Sequence, residues 1–119
     1  MIKEDPIYAL LADMTEAWNS CDLDRFMSGY APGSDTLLLV SGKEIHGFDA
    51  IYAHYKKLFE SLPEMPHLSV EILSAESNHD TARFELRFTL GSDGKSFTGL
   101  SVITLIKLDN RWLIVKDYS

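Results

Sequence analysis

At Pro66 the hydrophobic pattern changes period, and that switch constrains the fold more than any other feature of the 119 residues. Before it, apolar residues recur mostly at spacings of three and four, the signature of one helix face. Ile7, Leu10, Leu11, Met14, Ala17 and Trp18 form one such stripe, opened by Asp5-Pro6 as cap and first turn and closed near Asn19-Ser20. Asp22 caps a second, short helix that turns Leu23, Phe26 and Met27 inward, and Gly29 is expected to end it. A third stripe follows Gly47 (Ile51, Tyr52, Tyr55, Leu58, Phe59, Leu62) and stops at Pro63 and Pro66. Between the second and third stripes, Pro32-Gly33 turns the chain into a short apolar run, Leu37–Val40. Ser41-Gly42 then reverses it into Lys43–His46, a hairpin pattern.

After Pro66 the period is two. Leu68, Val70 and Ile72 alternate with Ser69 and Glu71, and Ala82, Phe84, Leu86, Phe88 and Leu90 alternate with Arg83, Glu85, Arg87 and Thr89. Turns at 77–80, 91–94 and 109–110 divide this half into four long strands. The third of them, about Lys95 to Leu108, is long enough that we expect it to bend, with Gly99 as bulge or kink. Helices segregated from an antiparallel meander predict one α+β domain over residues 1–119, a cone-shaped curved antiparallel or mixed sheet wrapped around three helices of the N-terminal half. Leu100, Val102, Thr104, Ile106 and Leu108 oppose Ile103 and Leu105 on their strand, so the sheet carries apolar residues on both faces. Such a sheet needs a second cover, and a homodimer through its outer face is the expected one.

Composition removes several partner classes. Eighteen acidic against eleven basic residues give a net charge of −7, which disfavours phosphate backbones and anionic membranes. We therefore expect neither nucleic acid nor membrane as partner. No apolar run approaches a membrane span, no signal peptide is read at Met1–Pro6, and Cys21 is the single cysteine, so a soluble cytoplasmic setting is expected. His46, His54, His67 and His79 are scattered, without the i, i+4 pairing of metal sites, so neither metal nor cofactor is expected. His54 reads as lying on the polar side of its helix. Asp22 and Asp24 beside Cys21 make its thiol a poor nucleophile.

Trp18-Asn19, Asp22-Leu23-Asp24, Phe26, Tyr30-Ala31, the Gly47 to Ile51 helix start and the closing Trp112-Leu113-Ile114-Val115-Lys116-Asp117-Tyr118 together resemble the SnoaL-like branch of the nuclear transport factor 2-like superfamily. The resemblance covers nearly the whole chain. It implies a curved sheet with three helices enclosing a pocket, usually in a dimer. It does not imply an activity, because this scaffold carries isomerases, dehydratases, cyclases, hydrolases and non-catalytic assembly modules. Ketosteroid isomerases of the superfamily need a tyrosine and two aspartates at positions that fall near Met14, Val40 and Ile103 here. None of these three can move a proton or stabilise an oxyanion, so that mechanism is not expected. Many relatives carry histidine after the aspartate of the last strand, where this chain has Tyr118.

The candidate residues follow from these patterns. Asp117, Asp35 and His46 are the candidate proton-transfer groups, with Tyr30 or Tyr118 as hydrogen-bond donor. Strand geometry allows only one of Asp117 and Tyr118 to face the interior. Trp18, Phe26, Tyr30, Tyr55, Phe59, Phe84, Phe88 and Tyr118 are the candidate pocket residues. Arg83, Glu85 and Arg87 share the opposite strand face, where a solvated charged surface competes with ligand or subunit contact. Three functions stay open: a domain binding an unknown small molecule in an apolar pocket, an isomerase, lyase or cyclase using a pocket carboxylate, and a non-catalytic dimerisation or scaffold module.

Overall fold

A computed structural model of the chain describes residues 6–62 and 64–119. The capping role expected of Asp5 and the stop expected of Pro63 lie outside the described residues. Helix α1 (Pro6–Asn19) buries Ile7, Leu11, Met14, Ala17 and Trp18, the stripe expected from their spacing. Helix α2 (Leu23–Met27) begins where the Asp22 carboxylate accepts a hydrogen bond from the Arg25 amide. Its end differs from expectation. Ser28 is the C-cap, in right-handed conformation, and Gly29 serves packing instead: the Met14 side chain occupies the place a Cβ would take.

Strands β1 (Leu37–Val40) and β2 (Lys43–His46) form the expected hairpin, followed by α3 (Phe48–Ser61). Strands β3 (His67–Ser77), β4 (Thr81–Ser92), β5 (Lys95–Leu108) and β6 (Arg111–Tyr118) complete the chain. All six join one sheet in the order β2-β1-β6-β5-β4-β3, with β1 parallel to β6 and the other pairs antiparallel. Three of its turns are two residues long with both φ angles positive: 51° and 77° at Ser41-Gly42, 51° and 76° at Asp93-Gly94, 49° and 64° at Asp109-Asn110. That handedness matches the right-handed twist of the strands it joins.

The irregularities fall elsewhere than expected. Gly99 pairs in unbroken register with Phe88, so it is neither bulge nor kink. A Cβ on Gly99 would lie 2.5 Å from the Phe88 ring, so the glycine is there to let that ring lie against the strand. The register shifts instead between Ile72 and Ser74, leaving Leu73 unpaired and exposed, and between Thr104 and Leu105, where Val115 of β6 has no partner. Bulges of this kind bend and twist a sheet, and each inserted residue changes which side chains face inward.

Polar ties fix the helices to the sheet. Asn19 both donates to the Leu68 carbonyl (2.9 Å) and accepts from the Leu68 amide (2.7 Å), acting as one more rung at the start of β3. The Trp18 indole donates to the Pro66 carbonyl at 2.9 Å. The Tyr52 hydroxyl donates to Asp24 at 2.6 Å, joining α3 to α2, and Arg25 pairs with Asp13 of α1. The segment after α2 is sewn to β6: the Ala31 amide donates to the Ile114 carbonyl, and the Ile114 amide donates to the Gly29 carbonyl. Among the described residues, no helix is long and apolar enough to cross a membrane.

Candidate functional site

Between the helices and the concave side of the sheet lies a cavity of about 290 Å³. Leu11, Met14 and Trp18 of α1, Phe26 of α2 and Tyr55 and Leu58 of α3 form one side. Leu68, Val70, Leu86, Phe88, Leu90, Phe97 and Ile103 form the sheet side. Alternation on β4 makes this wall, because every even residue from Ala82 to Leu90 points inward. Trp18, Phe26, Tyr55 and Phe59 meet edge-on or tilted, with ring centroids 5.0–6.4 Å apart, the arrangement aromatic quadrupoles prefer.

Most of the cavity's polar side chains are gathered in one place, with Thr15 and His54 apart from it on the wall. The Tyr30 hydroxyl donates to Asp117 Oδ2 at 2.7 Å, and the Ser119 hydroxyl donates to Asp117 Oδ1 at 2.9 Å. Ser101 lies 2.9 Å from Ser119, hydroxyl to hydroxyl. Tyr55 stands beside Tyr30, their ring centroids 6.3 Å apart. Burial raises the Asp117 carboxyl above its ordinary range, while the bonds from Tyr30 and Ser119 act against that rise. Burial first, and the Asp117 charge second, push Tyr30 and Tyr55 well up, so both remain protonated. His54, half-buried at the cavity wall, is lowered by its own burial and then by the charge of Lys43. The result is a carboxyl that holds a proton more readily than one in water, flanked by neutral hydroxyls.

Asp117 faces inward and Tyr118 outward because of the unpaired Val115. Ile114 faces the interior opposite Leu105, and strict alternation from it would send Lys116 and Tyr118 inward. With Val115 inserted, Asp117 pairs with inward-facing Ile103, and Tyr118 stands exposed opposite Val102.

The structure brings Asp117, Trp18, Phe26, Tyr30, Tyr55 and Phe88 together around the cavity. Phe59 and Phe84 are displaced from it: Phe59 packs behind Trp18, and Phe84 is buried against Tyr8. Tyr118 belongs to the other face of the sheet. Asp35 is exposed in the turn before β1, and His46 is exposed with its ring 3.1 Å from Glu44, so neither reaches the cavity. Both are near the first hairpin along the chain, but their side chains stand in solvent. Met14, Val40 and Ile103, where the resemblance puts the ketosteroid isomerase groups, all line the cavity as apolar walls.

Sequence reasoning missed His54, Ser101 and Ser119. His54 lines the cavity rather than the polar side of its helix, and Ile51, His54 and Leu58 continue the spacing of three and four that marks the inward stripe. Ser101 shares β5 parity with Ile103, and Ser119 shares parity with Asp117, so alternation alone places both once Asp117 is known to face inward. Among the described residues, no group of three or more His, Cys, Asp and Glu is arranged to hold a metal ion.

A family model described as a SnoaL-like domain matches residues 11–113. A protein of Shewanella oneidensis described as NTF-2 like and of unknown function superposes with a TM-score of 0.86 and 34% identity, covering 96% of this chain and 95% of its own. An NTF2-like protein of unknown function from Pseudomonas putida gives 0.81 at 14% identity, over 98% and 84% of the two chains. A putative calcium/calmodulin-dependent protein kinase type II association domain from Thiobacillus denitrificans also gives 0.81, at 15% identity over 93% and 90%. At those lower identities the likeness speaks for fold alone. Among proteins of curated function, none matches in sequence.

Proposed function

The chain belongs to the SnoaL-like domain family, and from that premise we propose that it binds a small, mostly apolar molecule in the cavity between α1, α3 and the concave sheet. One observation carries the reading. An interior walled mostly by aliphatic and aromatic side chains holds one buried carboxyl cluster, Tyr30 and Asp117, with His54 apart from it on the wall, the pattern of a site that fixes orientation with few polar groups. A core built for stability alone gains nothing from a carboxyl at that depth. Titration with the apolar fluorophore N-phenylnaphthylamine tests it: we expect saturable enhancement at one probe per chain, lost in Leu68→Trp, which fills the cavity from its partly exposed rim. Enhancement that never saturates, or that survives the filled cavity, overturns the proposal.

A second reading adds chemistry at the same place, proton transfer of the isomerase, lyase or cyclase kind. The raised proton affinity of Asp117 favours it, because a buried carboxyl flanked by Tyr30 can take a proton from an apolar substrate and return it. Turnover abolished by Asp117→Asn, with probe affinity retained, would establish that role.

The outer face supports a homodimer. Leu100 (63% exposed), Leu108 and Tyr118 stand in solvent beside half-buried Val102 and Ile106, a patch that a second copy would cover. Light scattering at micromolar concentration is expected to give twice the chain mass, and a monomer there would remove this part of the proposal. A cytoplasmic setting fits the single exposed thiol of Cys21.

A further inference from the structure

The direction of the hydrogen bonds around Asp117 limits the chemistry of the occupant. Tyr30 has one hydroxyl proton and gives it to Asp117 Oδ2; Ser119 gives its own to Oδ1. Ser101 must therefore donate to Ser119, since Ser119 has already spent its proton on Asp117. Every hydroxyl proton of the cluster thus points toward Asp117, and what remains on the cavity side is lone pairs. A group that completes this cluster has to be a donor.

Charge narrows the choice. Among the described residues that line the cavity there is no Lys or Arg. Lys43 acts on the site only at a distance, through His54, and contributes nothing to the lining. A ligand anion would be buried without a counter-ion, and an ammonium would have to leave water to form a desolvated ion pair. Depth sets the orientation. Along the inward face of β5, exposure falls from 64% at Phe97 to 8% at Ser101 and 2% at Ile103, the residue paired with Asp117. That distance is six residues of strand, roughly 20 Å. The apolar end faces Phe97 and Leu90, and the polar end faces Asp117.

We propose that the ligand is a neutral apolar alcohol or phenol, bound hydroxyl-first, its proton donated to the Tyr30–Asp117 cluster and its hydrocarbon body directed toward Phe97. This rests on the cavity being a binding site and adds the head group that the site selects.

Displacement of N-phenylnaphthylamine at neutral pH by decanol, by the ten-carbon methyl ketone, by decanoate and by decylamine tests it. Decanol should bind tightest, the ketone about fivefold weaker for want of a donor, and decanoate at least about tenfold weaker. Decylamine should be no tighter than decanol. Asp117→Asn exchanges an acceptor for an amide donor, so the preference for decanol over the ketone should vanish or invert there, while Tyr30→Phe should narrow that preference. Ketone or decanoate binding as tightly as decanol in the wild-type protein, or decylamine binding tenfold tighter, overturns the assignment with no need for any variant. If the probe itself fails to bind saturably, the cavity reading falls; if the probe binds and the four compounds displace it alike, only the head-group assignment falls.

Discussion

The two faces of β4 handle polarity in opposite ways. Outward, Arg87 meets Glu71 at 2.7 Å, Glu85 accepts from Ser74 at 2.6 Å, and Thr89 lies 3.2 Å from Thr98, each pair local, exposed and independent of the next. Inward, Ala82, Phe84, Leu86 and Phe88 leave polarity no place on the strand at all, and it is collected across the sheet at Asp117. Water supports the outer pairs, so each contributes little and can be replaced. The inner cluster has only itself, which makes each member costly to remove and each proton direction meaningful.

The sharpest test of that contrast compares two leucines of β5. Leu105→Ala, fully buried, should destabilise by about 2–5 kcal/mol in urea unfolding, while Leu100→Ala should stay within about 0.5 kcal/mol for an isolated chain. A large effect at Leu100 that grows with protein concentration would mean that the outer face is itself covered. Next, Asp117→Ala should cost about 1–3 kcal/mol by stranding the Tyr30 and Ser119 hydroxyls, and Gly99→Ala a similar amount by driving the Phe88 ring off the strand.

Acid titration separates a buried carboxyl from an exposed one by sign. Asp117 is raised above 3.8 by burial, so its stabilisation relative to Asp117→Asn should be complete below the unfolded value of 3.8 and shrink as pH rises through the higher folded value. Asp13 is lowered, chiefly by its hydrogen bond from Arg25, so its contribution relative to Asp13→Asn should be present above 3.8 and disappear as pH falls through the lower folded value. Unfolding of the three proteins between about pH 2 and pH 7 reads both slopes, and slopes of equal sign would erase the distinction. The smallest effect belongs to Arg87→Ala, at most about 1 kcal/mol and reduced further by salt.

Periodicity carried most of the architecture into view. The stripes of α1 and α3 and the alternation of β4 follow from spacing that burial rewards, and the three two-residue turns from residues that tolerate positive φ. The site was legible where it sits on those same stripes, at Trp18, Tyr55 and Phe88, and in the aromatics on and after α2, Phe26 and Tyr30. It was not legible where one residue breaks the count. Nothing in Ile114-Val115-Lys116 announces that Val115 goes unpaired, and that choice alone decides between Asp117 and Tyr118. Gly29 and Gly99 misled for a related reason: each was read for its backbone freedom, while each is small because Met14 or Phe88 needs the room. Asp35 and His46 failed because closeness in chain says little about closeness in a curved sheet.

The stitch between residues 29–31 and Ile114 has a mechanical corollary. Tyr30 rides on backbone bonded to the very strand that bears Asp117, so phenol and carboxyl travel together as parts of one ribbon. A tilt of α3 would widen or narrow the hollow without altering the gap between their oxygens. The gauge of the recognition point is thereby uncoupled from the girth of the chamber around it.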